Sequence, residues 1–75
     1  MGDGQKVTAM EIMLNGEPRR VEPGETLAGL LARLGLDPET VAVERNRSIA
    51  PRSALADTVI AEGDVIEIVQ FVGGG

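Results

Sequence analysis

The residues best placed to do chemistry are the last ones. A β-branched run, Val65 to Val72 (VIEIVQFV), passes directly into Gly73-Gly74-Gly75. Glycine weakens a strand rather than supporting it, so a glycine run here has a different use. It makes a tail thin enough to thread a channel that a Cβ would block. Three extended residues reach about 10 Å. An α-carboxylate at the end of that tail, with a pKa of about 3.5, is ionised and nucleophilic at neutral pH. We therefore expect Gly75 to carry the reacting carboxylate into another protein's active site, with Gly73 and Gly74 as the threading segment.

No other group competes for the role. The sequence has no Cys and no His, which removes disulfides, thiol chemistry, the usual zinc sites and an imidazole acid–base. Asp57, Glu62 and Asp64 cluster near a turn without a metal-ligand spacing, so they read as a solvated acidic face and no metal is expected. Pro23-Gly24 and Glu62-Gly63 read as turns, and no P-loop or dinucleotide fingerprint is present. Arg47 and Arg52 read as solvated surface residues. We expect no catalytic residue and no bound cofactor in this chain.

The elements that must position the tail follow from patterning. Met10 to Leu14 (MEIML) alternates, with Ile12 and Leu14 on one face and Glu11 and Met13 on the other, which predicts a half-buried strand. Asn15-Gly16 supplies the positive φ of a two-residue hairpin turn. Glu17 to Val21 returns as an edge strand, because Pro18 lacks an N–H. Leu27, Leu30, Leu31 and Leu34 recur at i, i+3, i+4 and i+7, one stripe of a helix over Thr26 to Leu34. Arg33 lies in its last turn, Gly35 is placed to cap it and Leu36 to make the accompanying apolar contact. Gly29 weakens the helix, a cost that close packing on a sheet can justify.

Asp37-Pro38-Glu39-Thr40 reads as a turn with Asp37 as its cap. Val41 to Glu44 is a third strand with Val41 and Val43 inward, and Asn46 begins a turn. Ser48 to Ala50 is a short extended piece anchored by Ile49. Pro51 to Asp57 suits a helical turn, and Val65 to Val72 is the last strand. With a helix as crossover, that last strand can pair with the first. The expected fold is a two-layer α+β domain, a mixed sheet of four or five strands with one main helix on one face. Residues 1–9 read as a flexible arm, 10–72 as a single domain and 73–75 as the tail.

The last strand also predicts a docking face. Glu67 is costly to bury unpaired, so its face should be the solvent face, shared by Val69 and Phe71. Glu11 marks the outer face of the first strand, shared by Met13. Met13, Val69, Phe71 and Val72 are therefore the expected partner-docking residues, an exposed apolar strip leading to the tail.

Composition narrows the function classes further. Seventy-five residues allow one small domain, and a core of that size leaves little stability for a strained active site. The net charge is −5 and the only Lys is Lys6, which argues against a nucleic-acid footprint. No apolar run approaches the length needed to span a membrane, and no signal peptide is visible, so a cytoplasmic carrier or adaptor is expected.

At this point the residues resemble a known family. The strand–strand–helix–strand–strand order with a Gly-Gly end is similar to the ubiquitin-like β-grasp sulfur carriers of the ThiS/MoaD family, and most to the thiamine-biosynthesis type. The stretches that carry the likeness are Ile12 to Gly16 (IMLNG), Pro23 to Leu31 (PGETLAGLL), Val41 to Asn46 (VAVERN), Ile49 to Ser53 (IAPRS) and Glu62 to Gly75 (EGDVIEIVQFVGGG). Two departures are the arm before Met10 and the basic Arg45-Asn46-Arg47.

The resemblance implies a cycle with several partners. A ubiquitin-activating-type adenylyltransferase would use ATP to adenylate the Gly75 carboxylate. A protein persulfide would then act as sulfur donor, displacing AMP and leaving a thiocarboxylate. Thiazole synthase would finally take the sulfur into the forming thiazole ring. A sulfur carrier for molybdopterin or another pathway, a ubiquitin-like protein modifier joined to lysines through Gly75, and a plain interaction domain remain the other readings.

Overall fold

Four leucines at helical spacing decide which face of the sheet becomes the core. In the computed structural model, which describes residues 9–71, helix α1 spans Leu27–Leu34 and buries Leu27, Leu30 and Leu31. Each such burial is worth about 1.5–3 kcal/mol. Thr26 caps the helix, its hydroxyl accepting from the Gly29 N–H at 3.0 Å. Gly35 ends it with φ 74°, and the Leu36 N–H donates to the Leu31 carbonyl at 2.9 Å. That pattern is a Schellman-type ending, and only glycine takes the αL position without steric cost.

Five strands form one mixed sheet: β1 (Met10–Leu14), β2 (Glu17–Val21), β3 (Val41–Arg45), β4 (Ser48–Ala50) and β5 (Val65–Gln70), in the order β2-β1-β5-β3-β4. The β1–β2 hairpin turns on Asn15 and Gly16, with φ 51° and 85°. β2 lies at the edge, as Pro18 requires. β5 enters the middle of the sheet, parallel to β1 and antiparallel to β3. The expected α+β architecture with one main helix on one face is the observed one.

Short turns link these strands. Asp37 caps a 3₁₀ turn at Pro38–Thr40, its Oδ1 accepting from the Glu39 N–H at 2.9 Å. A second 3₁₀ turn, Arg52–Asp57, contributes Leu55 to the core. The segment after it is tied to the start of α1: the Leu27 N–H donates to the Thr58 carbonyl at 3.0 Å, and the Ile60 N–H to the Glu25 carbonyl at 2.8 Å. Ile12, Val21, Val41, Val43, Ile66 and Ile68 face the helix from the sheet.

Two local expectations change. Gly29 does not pack on the sheet: a Cβ there would lie 2.7 Å from Glu25 Oε1, a side chain held back over the helix by its ion pair with Arg33. Ile49 does not anchor β4, because it is 71% exposed. It lies directly across from Glu44 on the face away from the helix, and the half-buried residue of β4 is Ala50. The last strand ends at Gln70 rather than Val72. Of the arm expected over residues 1–9, residues 1–8 lie outside the described residues, as do Val72 and the glycine tail.

The core argument predicts that Leu30→Ala costs about 2–5 kcal/mol. Gly35→Ala costs about 1 kcal/mol or more, through its left-handed φ. Urea unfolding followed by circular dichroism measures both.

Candidate functional site

All of α1 lies on one side of the sheet, so the other face meets solvent. Side-chain alternation assigns each strand's residues to it. Glu11 and Met13 come from β1, Ala42 and Glu44 from β3, Ile49 from β4, and Val65, Glu67 and Val69 from β5. Phe71 follows in the same phase. Met13 is 37% exposed, Val69 60% and Phe71 56%, and the described residues expected to dock a partner all lie on this face. Val72 and the expected reaction site, Gly73 to Gly75, lie outside the described residues.

Cross-strand register changes how these residues are grouped. Met13 pairs with Val65, whereas Val69 pairs with Ala42 on the opposite side of β5. Val65 and Val69 are four positions apart, about 13 Å along a strand. Met13 therefore marks the far end of the apolar strip, and Phe71 the end nearest the tail. Sequence reasoning left Val65 and Ile49 out of the strip. Val65 was within reach, because it alternates in phase with Glu67. Ile49 was not, because a three-residue strand carries too little pattern to fix its phase.

The end of β5 is held from both sides. Even-numbered residues turn their backbone groups toward β1: the Asn15 N–H donates to the Ile66 carbonyl at 2.9 Å. β1 stops at Leu14, and the Asn15 side chain takes over the next rung. Its Oδ1 accepts from the Ile68 N–H at 2.8 Å, and its Nδ2 makes a longer contact to the Ile68 carbonyl at 3.4 Å. On the other side, the Phe71 N–H donates to the Thr40 carbonyl at 2.9 Å. The root of the tail is thus fixed against two neighbouring segments.

The start of β5 is held by a buried charge that the sequence reading placed in solvent. Asp64 is only 5% exposed. Its Oδ2 accepts from Arg45 Nε at 2.7 Å and from the Ala61 N–H at 2.9 Å, and its Oδ1 accepts from Asn46 Nδ2 at 3.1 Å. Asn46 Oδ1 in turn accepts from the Val65 N–H at 2.9 Å. The network joins the β3–β4 turn, where Asn46 and Arg47 have φ 54° and 73°, to the first residue of β5. Burial alone pushes the Asp64 carboxyl up. The Ala61 N–H, the hydrogen bonds from Arg45 and Asn46 and the Arg45 charge together outweigh it and hold the carboxyl below its ordinary value. The basic Arg45-Asn46-Arg47 stretch was the sequence signal for this partner. Among the described residues no cluster of acidic side chains is arranged to hold a metal ion, and no helix is long and apolar enough to cross a membrane.

The sequence matches the ThiS family model over residues 12–75. The chain belongs to the ThiS family. A ThiS-family sulfur carrier protein from Thermus thermophilus is 38% identical over 64 residues, covering 85% of this chain and 98% of the relative. The crystal structure of the thiamine biosynthesis protein ThiS from Geobacter metallireducens superposes with a TM-score of 0.76 at 33% identity, covering 88% of this chain and all of that one. A thiazole synthase from Magnetococcus marinus is 53% identical over 66 residues, 88% of this chain but 20% of that protein. The chain thus spans about a fifth of the thiazole synthases it matches.

The depressed Asp64 pKa fixes a sign for acid stability. Free Asp titrates near 3.8 and the folded carboxyl below it. Its stabilisation is therefore complete above that value and is lost as the pH falls through the folded pKa. Asp64→Asn is expected to unfold more easily at pH 7, by about 1–3 kcal/mol, with the gap to the parent closing below pH 3.8. Urea midpoints of both proteins across pH measure it.

Proposed function

We propose that this chain is a sulfur carrier of thiamine biosynthesis that works through the carboxylate of Gly75. The observation that carries the reading is the family match, which runs through the glycine tail and includes a sulfur carrier aligned over nearly its whole length. The chain has no Cys and no His, so it has no thiol and no imidazole with which to activate a carboxylate. Activation falls to a partner.

In the first step a Gly75 carboxylate oxygen attacks the α-phosphorus of ATP on a ubiquitin-activating-type adenylyltransferase. Pyrophosphate leaves and an acyl-adenylate forms. This converts an oxide, a poor leaving group, into AMP, a good one. The terminal sulfur of a protein persulfide then attacks the acyl carbon and AMP departs. A second thiol cleaves the remaining S–S bond, supplying the electron pair that releases the Gly75 thiocarboxylate. ATP is the partner's cosubstrate, and this chain holds no cofactor of its own. Thiazole synthase accepts the sulfur, a reading supported by two proteins of that name that carry a stretch 53% and 46% identical to this chain. We place the cycle in the cytoplasm, where no strand or helix of the chain need enter a membrane and no nucleic acid takes part.

Each docking event uses the open sheet face, with Met13, Val69, Phe71 and Val72 as contacts. Gly73 and Gly74 thread the partner's channel. Substituting a side chain there obstructs the thread without touching the domain, because the core closes among residues 12–68.

The intact mass of the protein, co-expressed with an adenylating enzyme and a sulfur donor, tests the reading. The expected result is replacement of one oxygen by sulfur, mapped to Gly75. Deleting Gly75 abolishes that product and leaves the circular dichroism spectrum unchanged. An unmodified mass together with conjugates at lysines of other proteins identifies a modifier instead.

A further inference from the structure

The centre of the docking face holds a charge pair that the apolar strip does not explain. Glu44 and Glu67 stand directly opposite each other across β3 and β5, with Cβ atoms about 5 Å apart. Both side chains are exposed on the outer face. Like charges in that position destabilise a sheet. Among the described residues the ion pairs are Arg33 with Glu25 and Arg45 with Asp64, so neither carboxylate has a salt-bridge partner there. Arg47 lines the same hollow with Val65, Glu44 and Glu67 but closes no ion pair with them.

The neighbours of the pair determine what happens when the face is covered. Val65 and Val69 flank Glu67 along β5, and Ile49 stands across β4 from Glu44. A partner that buries this apolar area also buries the two carboxylates between. Removing charges from water without a countercharge costs more than such an area returns. Arg47 can offset one of the two negative charges, and one stays open.

Two thiazole synthases carry a stretch 53% and 46% identical to this chain within their own sequence, which keeps such a domain beside that enzyme. We propose that thiazole synthase, when seated on this face, presents an Arg or Lys side chain between Glu44 and Glu67. The inference rests on the docking reading above and adds its recognition chemistry. The carboxylates form the charged centre of the contact, the valines and Ile49 its apolar surround. A guanidinium suits the site best, since its fork can bond to both carboxylates at once. The net charge of −5 adds steering toward a basic surface.

Binding of purified thiazole synthase by the full-length chain, measured by calorimetry at low and high salt, tests this with two double variants. Glu44→Gln with Glu67→Gln keeps shape and removes charge. It is expected to leave the fold as stable as the parent or more so, while binding weakens about tenfold or more and loses most of its salt dependence. Gain of stability with loss of binding is a signature that a purely structural role does not give.

Unchanged or tighter binding of the Gln variant overturns the proposal, because amides are cheaper to desolvate than carboxylates and no cation is then waiting for them. Val65→Ser with Val69→Ser separates the two levels. Loss of binding in this variant alone leaves the docking face standing without its cation, and no loss in either variant removes the docking face as well. The same charge signature with the adenylating enzyme, and none with thiazole synthase, overturns the named occupant.

Discussion

The structure depends on the pairing of β5 on both of its edges. The strand joins β1 in parallel and β3 in antiparallel register, so its phase sets which residues of three strands share a face. Ile66 and Ile68 are turned to α1, and Ile66 is wholly buried. A slip of one residue would bring Glu67 under the helix and place both isoleucines in water. The cost of burying that carboxylate and the loss of two buried isoleucines act in the same direction, which makes the register a sharp choice. Every outward side chain, and the place where the chain leaves the sheet, follows from it.

Polar groups act at the two ends of that strand. At its start, Asp64 gathers Arg45, Asn46 and the Ala61 N–H, and Asn46 passes the connection back to the Val65 N–H. At its finish, the Asn15 amide supplies a rung that β1 is too short to make. Two asparagines at left-handed turn positions thus serve two purposes. Their backbones turn the hairpins, and their side chains fasten those hairpins to the central strand. The strand is gripped over its whole length although each of its neighbours covers only part of it.

The proposed carrier role asks for a stiff body and a separate reactive end, with the chemistry supplied by partners. The body's part in that role is to present the open sheet face. An exposed apolar face on so small a chain carries an aggregation risk, which the carboxylates within it and the net negative charge oppose. The same charges set a condition on any surface that covers the face.

Much of this was legible in the residues. The leucine stripe gave α1, Asn15-Gly16 the first hairpin, Pro18 the edge position of β2, and the alternation around Glu67 the outward phase of β5. These signals are local: they depend on spacing along one segment and on the conformational limits of glycine and proline. Composition, through the missing Cys and His, also pointed away from thiol and imidazole chemistry. The residues could not reveal which side chains meet across strands. Met13 belongs with Val65 rather than Val69, Glu44 faces Glu67, Ile49 points outward, and Asp64 is buried against Arg45 nineteen residues away. Those relations depend on register between distant segments. Register is settled only when the sheet closes on α1 and the total burial of all its strands selects one alignment.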